Sequence, residues 1–142
     1  MGIISSASRN SLWRGYDYFV GKRVLSFTKI SDFEYSGIVK GSQHYHVTID
    51  VDHSSKSTCD CPLAKGKRIV CKHKVALFFA IFPHEAEALL KRAEEYEEEE
   101  EERREQHVEE IRQEVFKLSK AELRERLINA LLALEENKTD YY

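Results

Sequence analysis

The sequence predicts an α+β fold: a small antiparallel sheet with flanking helices, followed by a long charged helix and a terminal helix. Three observations carry this. Between Gln43 and Asp52, Tyr45, Val47, Ile49 and Val51 alternate with His44, His46, Thr48 and Asp50, the period of a half-buried strand. From Cys71 onward, Val75, Leu77, Phe78, Phe79, Ile81 and Phe82 make an almost wholly apolar helical run that must be core. Beyond it the composition changes, because the first 84 residues carry 12 Lys plus Arg against 6 Asp plus Glu and the rest carry 10 against 19. A net charge of -3 thus hides a mildly basic half and a strongly acidic one.

Residues 1–8 read as a flexible amino end. Ser8 or Asn10 can cap a helix that places Leu12, Trp13, Tyr16, Phe19 and Val20 on one face and ends at Gly21. Val24, Leu25 and Phe27 begin a strand, Ser31 and Asp32 supply turn chemistry, and Tyr35 to Lys40 forms the next strand before Gly41 and Ser42. After the strand over residues 43–52, a turn at His53 to Ser55 leads to a short strand from Ser57 to Cys61, stopped by Pro62. A loop with Lys65, Gly66, Lys67 and Arg68 at its tip then reaches the apolar helix, which ends before Pro83.

The domain that this implies spans residues 9–83. Residues 84–118 read as a long acidic helix, 119–136 as a terminal helix and 137–142 as a frayed tail. Ala86, Leu89, Leu90 and Ala93 give the acidic helix an apolar face that disappears between Glu97 and His107. There Glu99 with Arg103 and Glu100 with Arg104 are favourable pairs four apart, each contributing about 0.2–0.5 kcal/mol. Val108, Ile111, Val115 and Leu118 restore a narrow apolar seam of coiled-coil spacing. Ser119 and Glu122 fit a capping box, and the helix they open is expected to bury Leu123, Leu127, Leu131 and Leu134.

The three cysteines, an odd number, are Cys59, Cys61 and Cys71. A disulfide framework needs pairs spread along the chain, so clustered thiols point to a metal. Cys59 and Cys61 leave one face of a strand, and Cys71 and His73 open the following helix. Four such donors match the tetrahedral preference of one structural zinc ion, and they leave no position open for water. Plain buried thiols beside a surface histidine would fit poorly with a context as polar as Cys-Asp-Cys-Pro.

With Cys59-Asp60-Cys61-Pro62 followed by Cys71-Lys72-His73-Lys74-Val75-Ala76-Leu77, the pattern resembles the SWIM zinc finger family, whose signature is Cys-x-Cys, a gap, then Cys-x-His. Arg14-Gly15-Tyr16-Asp17-Tyr18 and Gly21-Lys22-Arg23-Val24 upstream, and Leu118-Ser119-Lys120-Ala121-Glu122-Leu123 downstream, are also similar to stretches of small bacterial members. The resemblance covers residues 9 to 82. It implies a small sheet-and-helix zinc module that binds DNA or proteins. Family members also include transposase-like proteins, helicase-like ATPases and ubiquitin-pathway proteins, but no ATPase, nuclease or ligase segment is found here, so those activities are not expected to transfer.

The function expected is a zinc-stabilised module that engages DNA, a partner protein or both, without catalysis or a small-molecule substrate. DNA phosphates would meet Lys22, Arg23, Lys65, Lys67, Arg68, Lys72 and Lys74. The alternative is a regulatory subunit whose helical C-terminal half docks on a larger effector or dimerises through Val108, Ile111, Val115, Leu118 and Leu127. With no bilayer-spanning run and no secretory signal, a membrane partner is not expected and the expected location is cytoplasmic.

Overall fold

The computed structural model describes residues 2–139. They form two compact units, divided between Arg92 and Ala93.

The first unit is built on a four-stranded antiparallel sheet of β1 (Val24–Lys29), β2 (Glu34–Lys40), β3 (His44–Asp50) and β4 (Thr58–Cys59), ordered β1-β2-β3-β4. Short turns join consecutive strands, so sequence neighbours become sheet neighbours. The register opposes Tyr35 to Ile49, Gly37 to Val47 and Val39 to Tyr45, while Cys59 lies opposite Val47. These residues share one face, and the alternation read from the sequence becomes its dry side. Asp50 makes the exit from β3: its Oδ1 accepts the Asp52 amide at 2.9 Å and the His53 amide at 2.8 Å, and its own amide donates to Ser57 Oγ at 3.0 Å. The His53 amide bond leads in holding this carboxyl below its ordinary range.

Helix α3 (Lys72–Ile81) lies against the sheet, and α2 (Arg9–Val20) packs on α3. Ser8 caps α2, its hydroxyl accepting the Ser11 amide at 3.1 Å, and Gly21 closes the helix. The two helices approach through Gly15, where an added Cβ would stand 2.4 Å from Val75 Cγ1 and 2.9 Å from the Lys72 carbonyl. Val39, Val47, Ile49, Val75, Leu77 and Phe79 form the centre of the core.

The amino end differs from the flexible segment expected. Residues Ile3–Ser6 form a helical turn, α1, whose Ile3 is 1% exposed, and Ser6 Oγ lies 2.9 Å from Ser54 Oγ. A single apolar side chain filling a gap in the core needs no periodicity, so pattern reading could not see it.

Helix α4 (Pro83–Phe116) starts at a proline, whose missing N–H costs nothing in a first turn. Its opening belongs to the first unit, with Ala86 buried and Leu89 packed against the core. The second unit holds the rest of α4 and α5 (Lys120–Thr139). The capping box closes reciprocally: the Ser119 amide donates to Glu122 Oε2 and the Glu122 amide to Ser119 Oγ, both at 3.3 Å. Helix α5 continues through Thr139 rather than fraying after residue 136, and the last part of the expected tail, residues 140–142, lies outside the described residues. A second correction concerns its apolar face. Leu123, Leu127, Leu131 and Leu134 are exposed rather than buried, because among the described residues no element covers that face.

Gly15→Ala should lower stability by about 1–3 kcal/mol in urea denaturation, since the added methyl collides with Val75 and with backbone. Gly2→Ala, which meets only an ordinary contact at 3.8 Å, should leave the midpoint nearly unchanged.

Candidate metal centre

Cys59 ends β4, and Asp60 holds the chain immediately after it. The Asp60 Oδ1 accepts the His46 amide at 2.9 Å while the Asp60 amide donates to the His46 carbonyl at 3.4 Å, tying the Cys-Asp-Cys knuckle to β3. Cys61 then opens a tight turn in which its carbonyl accepts the Ala64 and Lys65 amides at 3.2 and 2.9 Å. Across the loop, Cys71 is the N-cap residue of α3 and His73 sits in its first turn. All four side chains are buried, His73 to 4% exposure.

Their donor atoms lie within 4.8 Å of one another. Cys59 Sγ stands 3.8 Å from His73 Nδ1, and a zinc tetrahedron with ordinary Zn–S and Zn–N bonds has edges of roughly 3.6–3.8 Å. Nδ1 is therefore the ring nitrogen that faces the cluster. The donor set, three thiols and one imidazole enclosed by protein, fits one structural zinc ion.

The electrostatics favour thiolate at Cys71. Cys71 is held well below the ordinary thiol range, first by the hydrogen bond from the Cys59 thiol, then by His73 and by the Lys74 and His73 amides. Cys59 moves the opposite way, because its proton is shared with Cys71 and because it is buried. Lys74 is 0% exposed beside them. Its ammonium donates to the Ile69 carbonyl at 2.7 Å and the Ser57 carbonyl at 3.0 Å, so one side chain joins the segment before β4 to the loop before α3. Burial pushes Lys74 below its ordinary range, while negative charge on Cys71, Cys59 and Cys61 pulls it back up. Three thiolates and a neutral imidazole around Zn2+ leave a net negative charge, and a buried ammonium offsets it.

Two aromatic rings enclose the histidine: Tyr45 at 4.6 Å and Tyr18 at 5.5 Å between centroids. Nε2 has no hydrogen-bond partner among the described residues, and it lies 3.1 Å from the place a Cβ on Gly41 would take. Residue 41 must be small for this packing.

Four enclosed donors on a strand end and a helix start define the class: a zinc-finger module with a structural metal site. Residues 45–82, which hold all four donors, match the family model of the SWIM zinc finger. No curated protein and no solved structure matches the chain. No helix among the described residues is long and apolar enough to cross a membrane.

The remaining expected site residues separate into groups. Lys65, Lys67 and Arg68 are exposed on the loop between the two donor pairs, and Lys22 and Arg23 are exposed where α2 turns into β1, with Lys22 in the left-handed region at φ 56°. Tyr18 gathers two of the cations, with Arg23 Cζ 4.8 Å and Lys72 Nζ 4.9 Å from its ring centroid. Lys74 is a correction: it cannot meet phosphate, since its ammonium is buried on two carbonyls. Val108, Ile111, Val115 and Leu127 are exposed, and Leu118 is half-buried. Pattern reading missed Asp60 and Lys74 as parts of the metal site. For Lys74 a signal existed, because it interrupts an apolar helical run and lysine is almost never buried without partners.

Lys74→Met should lower stability by about 1–3 kcal/mol by leaving buried carbonyls unpaired, and should speed zinc loss to a chelator. Lys67→Gln, at an exposed position, should change neither. Zinc titrated into metal-free chain at pH 7 should release the Cys59 proton, since that thiol is raised and metal needs the thiolate; a pH indicator in weak buffer reads it.

Proposed function

We propose that this chain is a zinc-stabilised SWIM-type binding module, acting in the cytoplasm, that engages DNA and/or a partner protein and performs no catalysis of its own. Cys59, Cys61, Cys71 and His73 are its zinc ligands, and the module spans residues 9–83. The observation that carries this reading is the enclosed donor cluster with Lys65, Lys67 and Arg68 exposed on the loop that joins its halves. A filled tetrahedron supplies folding energy rather than a site for reacting water. The loop cations stand where the metal holds both ends of their segment, which limits the entropy lost on meeting a phosphate backbone.

A second reading is favoured by the second unit. Ile111, Val115, Leu118, Leu123 and Leu127 line one apolar groove flanked by Glu114 and Arg126. Ile111 is 48% and Leu127 60% exposed. A partner protein, or a second copy of the chain, would cover them.

Anisotropy titrations with a DNA duplex across a salt series test the first reading. Changing Lys65, Lys67 and Arg68 together to Gln should weaken binding and flatten the slope of log affinity against log salt by roughly 2–3. Equal slopes for parent and variant would refute the loop as the contact. For the second reading, Ile111→Asp with Leu127→Asp should abolish self-association in sedimentation equilibrium, or capture of a partner, while leaving zinc content and DNA affinity intact.

A further inference from the structure

Beside the metal centre the first unit has a half-open pocket of about 390 Å³, with Asn10, Arg14 and Ser42 exposed at its mouth, within the range that holds a small ligand. Asn10, Ser11, Arg14 and Tyr18 of α2 line it together with Lys72 of α3 and three of the four metal donors, Cys61, Cys71 and His73. Asn10 and Arg14 stand four apart on the exposed side of α2, and one turn on Tyr18 packs against the core, as Leu12, Tyr16 and Phe19 do. The pocket has a defined electrical character. Two cations, Arg14 and Lys72, line it without a carboxylate, beside the thiols of Cys61 and Cys71 that belong to the metal centre.

These groups are also unspent. Arg14 has no hydrogen-bond or ion-pair partner among the described residues, and the Lys72 ammonium rests only on the Tyr18 ring. Buried His73 contributes a further nitrogen without a partner among the described residues. A guanidinium with a free planar fork is suited to bidentate contact with a tetrahedral oxyanion, and the neighbouring ammonium adds a point charge. Hydroxyl and amide donors from Ser11 and Asn10 complete a set that matches phosphate oxygens, and the volume leaves room for the sugar attached to them.

We infer that this pocket is a phosphate-ester subsite, with the phosphate held between Arg14 and Lys72. It deepens the DNA reading and rests on it only for the source of the phosphate, which is either a nucleic-acid strand or a free nucleotide. Arg14 was not among the cations expected to meet DNA, so it distinguishes this seat from the exposed loop.

Calorimetric titration of the zinc-loaded full chain at low salt tests it, using adenosine 5′-monophosphate and a 5′-phosphorylated single-stranded oligonucleotide. Arg14→Gln should weaken binding about tenfold or more, Arg14→Lys should recover part of the loss, and both should keep the parent's zinc content and melting temperature. Sensitivity of both probes to Arg14→Gln identifies a strand phosphate as the source. Binding of the mononucleotide alone, with the same sensitivity, keeps the subsite and removes the DNA reading. An oligonucleotide bound with unchanged affinity by Arg14→Gln overturns the subsite and leaves the DNA reading standing. Failure of the zinc-loaded chain to bind either probe overturns the subsite, and the duplex titration alone then decides the DNA reading.

Discussion

The first unit depends on one meeting: two donors at the end of a strand must reach two donors at the start of a helix across the loop of residues 62–70. The strand that delivers the first pair is only Thr58–Cys59 and pairs with β3 at two positions, too short a ladder to hold itself in place. Its position is made by contacts around it. Asp60 ties the knuckle to His46, Ser57 accepts from Asp50, and Lys74 reaches the Ser57 and Ile69 carbonyls together. Zinc in finger peptides contributes on the order of 10–16 kcal/mol, which exceeds the net stability of many small domains. The sheet, α2 and α3 therefore form the scaffold, and the metal decides whether the β4 knuckle and the loop belong to it.

Lys74 shows why the site cannot be reduced to its donors. An apolar residue there would satisfy the helical pattern of Val75, Leu77 and Phe79 and still leave two carbonyls unpaired and an anionic metal centre without a counter-charge. Enclosing thiolates in a small core costs solvation, and a cation inside the same core recovers part of it. The residue is charged because the site is.

Much of this was legible from the chain alone. Strand β3 announced itself through alternation, α3 through an unbroken apolar run, α5 through the Ser119 and Glu122 pair, and the donor cluster through the spacing of three cysteines and a histidine. Each is a local signal that one segment carries by itself. What escaped was relational. Ile3 fills the core without a pattern around it, Lys74 looks like any basic residue until its carbonyl partners come near, and the expected burial of Leu127 assumed a covering surface that no described element supplies. Helical spacing shows which residues share a face, but not what the face meets.

The charge layout places a constraint on any contact with nucleic acid. With 19 Asp plus Glu after residue 84 and a net charge of -3 overall, the chain cannot rely on a diffuse positive field to draw phosphate in, because exposed charges beyond a Debye length of about 8–10 Å are screened and the remainder largely cancel. Recognition must then come from cations whose geometry is already set. The metal holds the ends of the loop that carries Lys65, Lys67 and Arg68, and α2 and α3 bring Arg14 and Lys72 to one pocket. The loop would lose its geometry if the donor cluster opened, whereas Arg14 and Lys72 stand on the scaffold of α2 and α3. On this account the metal acts on phosphate through the order it imposes on the cations of the loop.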